Sequence, residues 1–393
     1  MRLLHTSDWH LGRTLHNESL LDAQRGALGQ IVDLVDTHEV DAVLVSGDVY
    51  DRAVPSTDAV RLLDRTFVRF SAAGIPLVLV SGNHDSAVRL GFGSGLSAAA
   101  GVHLRTTVAD IASPVVLTDE HGQVAVYGIP YLLPDAARVA LGAERSHESV
   151  LRSATDLVRA DAASRGIERT VVLSHSFVTG AGASDVSESE RDIRVGGVDH
   201  APATVFDGIT YVALGHLHRP QVVRLVGGST VLRYSGSPLA FSFSERDDTK
   251  SVVLLDLDAA GVADLALVAT PVPRALRQVE GTLESLLERA GTDLAHLSDC
   301  WVKAVLTDTS RPANPMERLR AVWPHTLTLD FAPEGERTGQ AADLERLART
   351  TDPVEVCGHF VDYVGGAAPT DEERLVLRDV VERAQQQEEA VAS

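Results

Sequence analysis

Oxygen and imidazole donors recur at five places in this chain, each directly after a short apolar run. They are Asp8-Trp9-His10, Gly47-Asp48-Val49-Tyr50-Asp51, Gly82-Asn83-His84-Asp85, His175 and Gly215-His216-Leu217-His218. A single aspartate or histidine after a strand is ordinarily a turn former or a helix cap. Five in succession point instead to one site. Carboxylate, amide and imidazole donors without cysteine suit borderline-hard divalent ions such as manganese, iron or zinc. Asp8, His10, Asp48, Asn83, His175, His216 and His218 are too many ligands for one ion. A shared carboxylate would let them hold two, and Asp48, in the middle of the set, is the candidate bridge. Two ions roughly 3.5–4 Å apart activate a shared water and clamp both oxygens of a phosphoryl transfer. The implied chemistry is metal-assisted hydrolysis of a phosphoester.

The elements that must position these residues follow from periodicity. Apolar runs at Arg2 to Thr6, Val40 to Ser46, Ile75 to Ser81, Thr170 to Ser174 and Ile209 to Leu214 read as strands. Amphipathic segments at about 19 to 38, 57 to 73 and 147 to 165 read as helices between them, a layered α/β pattern. In an open α/β sheet the carboxyl ends of the strands converge on one crevice, where ligands bind. Runs at about 222 to 226, 230 to 235, 251 to 257 and 262 to 268 are separated only by turns, as in antiparallel strands. Pro271-Val272-Pro273 then breaks the chain. These limits divide it into a catalytic domain over 1–271, a small α/β capping domain over 272–333, and a linker with a helical segment over 334–393. In the capping domain the pattern predicts strands at 275 to 279, 301 to 307 and 326 to 331, and helices at 282 to 290 and 315 to 322. In the tail, Thr370 and Glu373 have capping-box spacing ahead of an apolar stripe of Leu377, Val380, Val381 and Ala384.

Other histidines read more plainly. His5 lies within the first strand as a core or supporting residue, and His16, His38, His121 and His147 read as surface residues. Gly91-Phe92-Gly93-Ser94-Gly95 lacks a strand leading into it, so it is a loop and not a dinucleotide site.

Composition narrows the function classes. No uncharged apolar run approaches the ~18 residues of a membrane span, and no export signal is visible at the start, so the cytoplasm is the expected compartment. Cys300 and Cys357 stand apart, which argues against a disulfide framework and a thiolate zinc site. Thirty-five basic against 55 acidic residues leave a net charge of −20, so a nucleic-acid substrate would need part of its grip supplied elsewhere. Lysine occurs only at Lys250 and Lys303, neither preceded by glycine; no Walker A loop is present. Any ATP dependence would come from a partner.

At the five donor clusters the chain resembles the calcineurin-like metallophosphoesterases, whose motifs run D-x-H, G-D-x-x-D, G-N-H-[DE], H and G-H-x-H. The longer stretches His5 to Gly12, Ser189-Glu190-Arg191-Asp192-Ile193 and Arg233 to Leu239 resemble the bacterial DNA-nuclease branch of that family. The resemblance implies a four-layer αββα sandwich of two stacked sheets flanked by helices. It gives one metal to Asp8, His10, Asp48 and His218, and the other to Asp48, Asn83, His175 and His216. His84 would stay free of metal to stabilise the transition state or protonate the leaving oxygen, with Asp85 fixing its orientation. It further implies manganese, with magnesium, iron or zinc as alternatives, an ATPase partner docked on the tail helices, and DNA as substrate, degraded 3′ to 5′ from duplex ends with cleavage of single strands and hairpins. Two departures stand out. Archaeal relatives often carry a histidine where this chain has Asp51, and Gly47 to Arg52 is close to the G-D-x-V-D-R-G of protein phosphatases, although Ala53 replaces the last glycine. A phosphatase or phosphodiesterase acting on small or protein substrates is the direct rival. A homodimer is also implied, through helices following the second and third motifs. In the helix at 57 to 73 the stripe Val60, Leu63, Phe67 and Phe70 serves either that interface or packing on the chain's own sheet.

Overall fold

The computed structural model describes residues 1–182, 184–190, 193, 200–333, 352–365 and 368–392. The chain divides into two compact units, Met1–Pro273 and Arg274–Ser393. The first holds two six-stranded sheets. In spatial order one runs Gly261–Ala269, Ser251–Asp258, Arg2–Thr6, Ala42–Ser46, Leu77–Val80, Val102–Arg105; the last four are mutually parallel and the first two antiparallel to their neighbours. The other runs Gln221–Val223, Val231–Tyr234, Tyr211–Gly215, Arg169–His175, Gly122–Ile129, Val115–Asp119, with a parallel centre and an antiparallel strand at each edge.

The sheets pack face to face because their central strands are apolar on both sides. Leu3, Leu44, Val78 and Val80 of one meet Val171, Leu173, Tyr211 and Ala213 of the other in a single buried cluster. The outer faces are covered by helices: Leu21–Thr37 and Thr57–Ala73 on the first sheet, Pro134–Leu141 and His147–Arg165 on the second. The four-layer sandwich implied by the motifs is therefore the observed fold. His5 lies in the core, its ring nitrogens 3.0 Å from Tyr211 Oη and 3.2 Å from the Leu214 carbonyl, and burial lowers its pKa to about 3.

Three features differ from the sequence reading. Strands Val102–Arg105, Val115–Asp119 and Gly122–Ile129 were not foreseen. Gly122–Ile129 runs from exposed to wholly buried between its neighbours and the helix above, so it lacks the alternation of a half-buried strand. The runs 221–234 and 251–269 do form antiparallel pairs, but on different sheets, since Val231–Tyr234 continues beside Tyr211–Gly215 and Ser251–Asp258 beside Arg2–Thr6. On the helix Thr57–Ala73, capped by Ser56 and ended by left-handed Gly74, Leu63 and Phe70 are buried in the core, with Phe67 packed against it. Leu63, Phe67 and Phe70 of the stripe thus face the chain's own sheet, while Val60 and Val68 are the large apolar side chains that the helix leaves exposed.

In the second unit, Leu276–Gly281, Trp301–Leu306 and Thr326–Phe331 form a parallel three-stranded sheet backed by helices Leu283–Ala290 and Pro315–Val322 around Trp323 and Leu319. The expected linker at 334–340 lies outside the described residues, as does Gly366 of the turn between the tail helices. Those helices are Pro353–Gly365 and Asp371–Ala392. Thr370 and Glu373 do form the capping box: the Thr370 hydroxyl and amide donate to Glu373, and the Glu373 amide returns to Thr370 Oγ1. No helix among the described residues is long and apolar enough to cross a membrane.

Candidate metal centre

All five donor clusters sit where central strands of the two sheets end. Arg2–Thr6 leads to Asp8 and His10, Ala42–Ser46 to Asp48, Leu77–Val80 to Asn83 and His84, Arg169–His175 ends on His175, and Tyr211–Gly215 leads to His216 and His218. The loops are tied to one another. The amides of Asp8 and His10 donate to the carbonyls of Gly47 and Asp48 (3.0 and 2.9 Å), and buried Gln24, from the helix Leu21–Thr37, donates to the carbonyls of Trp9 and His10.

The turns are unusually tight. Asp8, His10, Asp48 and His216 all have positive φ (54°, 44°, 47° and 109°), conformations that non-glycine residues hold only when surrounding structure enforces them. Two glycines explain why the motifs need them. A Cβ at Gly82 would lie 2.1 Å from Asp48 Oδ1, and one at Gly215 would lie 1.9 Å from the Ser46 carbonyl oxygen. Each allows two loops to approach closely enough for their side chains to share a site.

Two donor groups result. In the first, His10 Nε2 and His218 Nε2 are 3.1 Å apart, and Asp8, His10 and His218 offer ligand atoms within 4.8 Å of one another. In the second, Asn83 Oδ1 lies 2.9 Å from His175 Nε2 and 3.2 Å from His216 Nδ1. Asp48 stands between them, with Oδ2 3.6 Å from His10 Nε2 and 3.5 Å from His175 Nε2. The seven residues singled out as candidate ligands are thus brought together, with Asp48 between the two groups.

The donor set fits divalent cations on the chain's own evidence. Burial lowers the pKa of His10, His175, His216 (to about 3) and His218, so these rings are neutral and present lone pairs. His175 Nδ1 donates to the Ser46 carbonyl at 2.8 Å, which leaves Nε2 as its free donor atom. Burial and the neighbouring Asp48 raise Asp8 well above the usual carboxylate range, although the Ser7 hydroxyl and the His216 amide donate to it. Burial also opposes ionisation of Asp48, which is nevertheless held below that range, with the His84 amide donating to it at 2.9 Å. Facing imidazole lone pairs and two buried carboxylates would be balanced by divalent cations held between them.

His84 sits at the edge of this centre. Its side chain is 16% exposed, its Nδ1 donates to the Asp51 carbonyl at 2.8 Å, and its Nε2 lies 4.0 Å from Asp48 Oδ2. It forms a further possible ligand group with His10 and Asp48. It opens onto a cleft of about 470 Å³ lined by Arg13, Thr14, Asp51, Arg52, Ala53 and Asn83 besides itself.

The expected role of Asp85 needs correction. Its carboxylate accepts from the amides of Val49 (3.0 Å), Tyr50 (2.8 Å) and Gly82 (2.9 Å), so it braces the two loops that carry Asp48 and Asn83. The ring of His84 is instead held by the Asp51 carbonyl. Burial and Asp48 push Asp85 up to about 7 against the pull of those three amides. His147, read as a surface residue, is half-buried: its Nε2 donates to the Ile193 carbonyl at 2.9 Å, and its ring shares a small cavity with Tyr131 and His175. Sequence reasoning passed over Glu245 and Lys250, which lie buried behind His218; the one signal was that Lys250 is among only two lysines.

Residues 1–220 match the family model described as calcineurin-like phosphoesterase, and residues 272–364 match that of the type 5 capsule protein repressor C-terminal domain. The chain is 33% identical over 297 residues to the D subunit of the nuclease SbcCD from Escherichia coli K12, covering 73% of this chain and 72% of that protein. It is 29% identical over 332 residues to the D subunit of the nuclease SbcCD from Staphylococcus saprophyticus, covering 84% of each. With two thirds of such relatives spanned and more than half the chain matched by the family model over the same strands that carry the donors, this chain belongs to the calcineurin-like phosphoesterase family.

Proposed function

We propose that the chain is the nuclease component of an SbcCD-type complex and hydrolyses DNA phosphodiester bonds at a two-metal centre. The observation that carries this reading is the pair of donor groups sharing Asp48, joined to the likeness to nuclease subunits along most of the chain. Asp8, His10, Asp48 and His218 would hold one divalent ion, and Asp48, Asn83, His175 and His216 the other, most naturally manganese. Two divalent ions held there would supply an activated water and charge stabilisation for phosphoester hydrolysis. His84, fixed through Nδ1, presents Nε2 toward the cleft, where it protonates the leaving oxygen or stabilises the transition state. Asp85 holds the two loops in register.

The cleft also suggests how an acidic chain meets an anionic strand. Arg13 and Arg52 line it beside His84 and both pair with Asp51, at 3.2 and 3.6 Å; Arg52, 79% exposed, is the one whose guanidinium also faces solvent, where a backbone phosphate could reach it. By likeness the activity is 3′ to 5′ degradation of duplex ends, single-strand cleavage and hairpin opening, carried out in the cytoplasm with an SbcC-like ATPase. The tail supports a partner: Phe360, Leu375, Val376 and Val380 on its two helices are each more than half exposed, an apolar surface of the kind that docks on another chain. A homodimer is part of the same reading, with Val60 and Val68 as the exposed apolar positions of the helix after the second motif.

The test is direct. Purified protein with manganese is offered a labelled DNA hairpin and p-nitrophenyl phosphate side by side. Cleavage of the hairpin, lost on chelation, is the expected result, and turnover of the small ester with the hairpin left intact would transfer the site to a phosphatase.

A further inference from the structure

Behind His218 lies a buried polar unit that neither the motifs nor the two-metal reading requires. Glu245 is fully buried and Lys250 nearly so. Lys250 Nζ donates to Glu245 Oε2 at 2.5 Å, to the His218 carbonyl at 2.8 Å and to Ser237 Oγ at 3.2 Å. Ser189 Oγ lies 2.5 Å from Glu245 Oε1 and 2.5 Å from His218 Nδ1. Buried ion pairs bring little net stability, because desolvation offsets their attraction. Their value must be sought in what they orient.

Hydrogen-bond bookkeeping fixes the direction of this chain of groups. With the Lys250 ammonium on its other oxygen, Glu245 is ionised and can only accept. The proton of Ser189 therefore points to Glu245. Its Oγ then meets His218 Nδ1 as an acceptor, so the imidazole proton sits on Nδ1 and the lone pair on Nε2. His218 Nε2 is the atom that faces His10 Nε2 in the first donor group. The backbone is held as well: Glu190 accepts from the His218 amide and the Ser187 amide, both at 2.7 Å.

We propose that Glu245 and Lys250, acting through Ser189, are positioning residues for the metal on the His218 side: they set the tautomer and orientation that let His218 Nε2 act as a ligand. The inference deepens the two-metal reading and rests on it. Glu245→Gln tests the direction of the relay. Lys250 keeps the amide oxygen on its own side, which turns the NH₂ toward Ser189. The Ser189 proton then swings to His218 Nδ1, and the imidazole proton moves to Nε2, where it blocks the lone pair. Ser189→Ala removes the relay with one atom and no change of charge, and Ser189→Thr keeps the hydroxyl.

Calorimetric titration of the metal-free, full-length protein with Mn²⁺ alone reads the effect. Wild type should take up two ions. Glu245→Gln and Ser189→Ala should each weaken one of the two binding steps by roughly 10- to 100-fold, the range for groups that orient a metal-ligating histidine, while the other step keeps its affinity. Ser189→Thr should restore both steps. Wild-type affinity at both steps in Ser189→Ala, or equal weakening of both, would overturn the proposal; should Glu245→Gln fail to fold, Ser189→Ala still decides. Failure of wild type to bind Mn²⁺ would instead overturn the two-metal reading itself.

Discussion

Asp48→Asn should abolish hydrolysis and empty both metal positions together. Asp48 Oδ1 accepts the His84 amide at 2.9 Å, and an asparagine oxygen would keep that bond, directing its NH₂ to where Oδ2 now faces His10 and His175. A donor would then point at both ions, and the one negative charge common to both groups would be gone. Affinity at each position should fall by at least about 100-fold, more than the loss of an outer partner costs. Metal content by mass spectrometry after dialysis, with circular dichroism to check the fold, measures this. Loss of one ion with the other fully retained would mean that Asp48 is a ligand of one position only.

His84→Ala should separate binding from chemistry. The ring's Nδ1 is committed to the Asp51 carbonyl, and its Nε2 lies 4.0 Å from Asp48 Oδ2 and opens onto the cleft. Removing it should leave two ions per chain and lower turnover on DNA by roughly 10²–10⁴, the usual contribution of a positioned proton donor. Its proximity to His10 and Asp48 makes the experiment discriminating, because those three could also form a metal group. If the variant loses metal as completely as His216→Ala does, His84 is a ligand and the proton-donor role falls.

The candidate centre was legible in the sequence because its donor residues sit at the ends of apolar strands, where their types stand out against runs such as Val43-Leu44-Val45 and Val78-Leu79-Val80. The glycines of the motifs were legible too, but their reason was not: it lies in approaches between loops far apart in the chain, as where Gly215 meets Ser46. Asp85 was misread for a related reason. Adjacency to His84 suggested contact, whereas the turn directs its carboxylate to the amides of Val49, Tyr50 and Gly82. Glu245 and Lys250 were hard to see because they lie about thirty residues beyond His218, and the path from Glu245 to its ring runs through Ser189, from another segment. The helix Thr57–Ala73 shows the limit of periodicity. Its apolar stripe was plain, but a stripe names no partner, and here the partner for Leu63 and Phe70 is the chain's own sheet.

The central claim is that two divalent ions sit side by side in this site with Asp48 between them. Anomalous scattering from crystals grown with manganese tests it most directly. The account predicts two peaks roughly 3.5–4 Å apart, one among Asp8, His10 and His218, the other among Asn83, His175 and His216, with Asp48 in contact with both and His84 with neither. A single peak, or one held by His84, would contradict it.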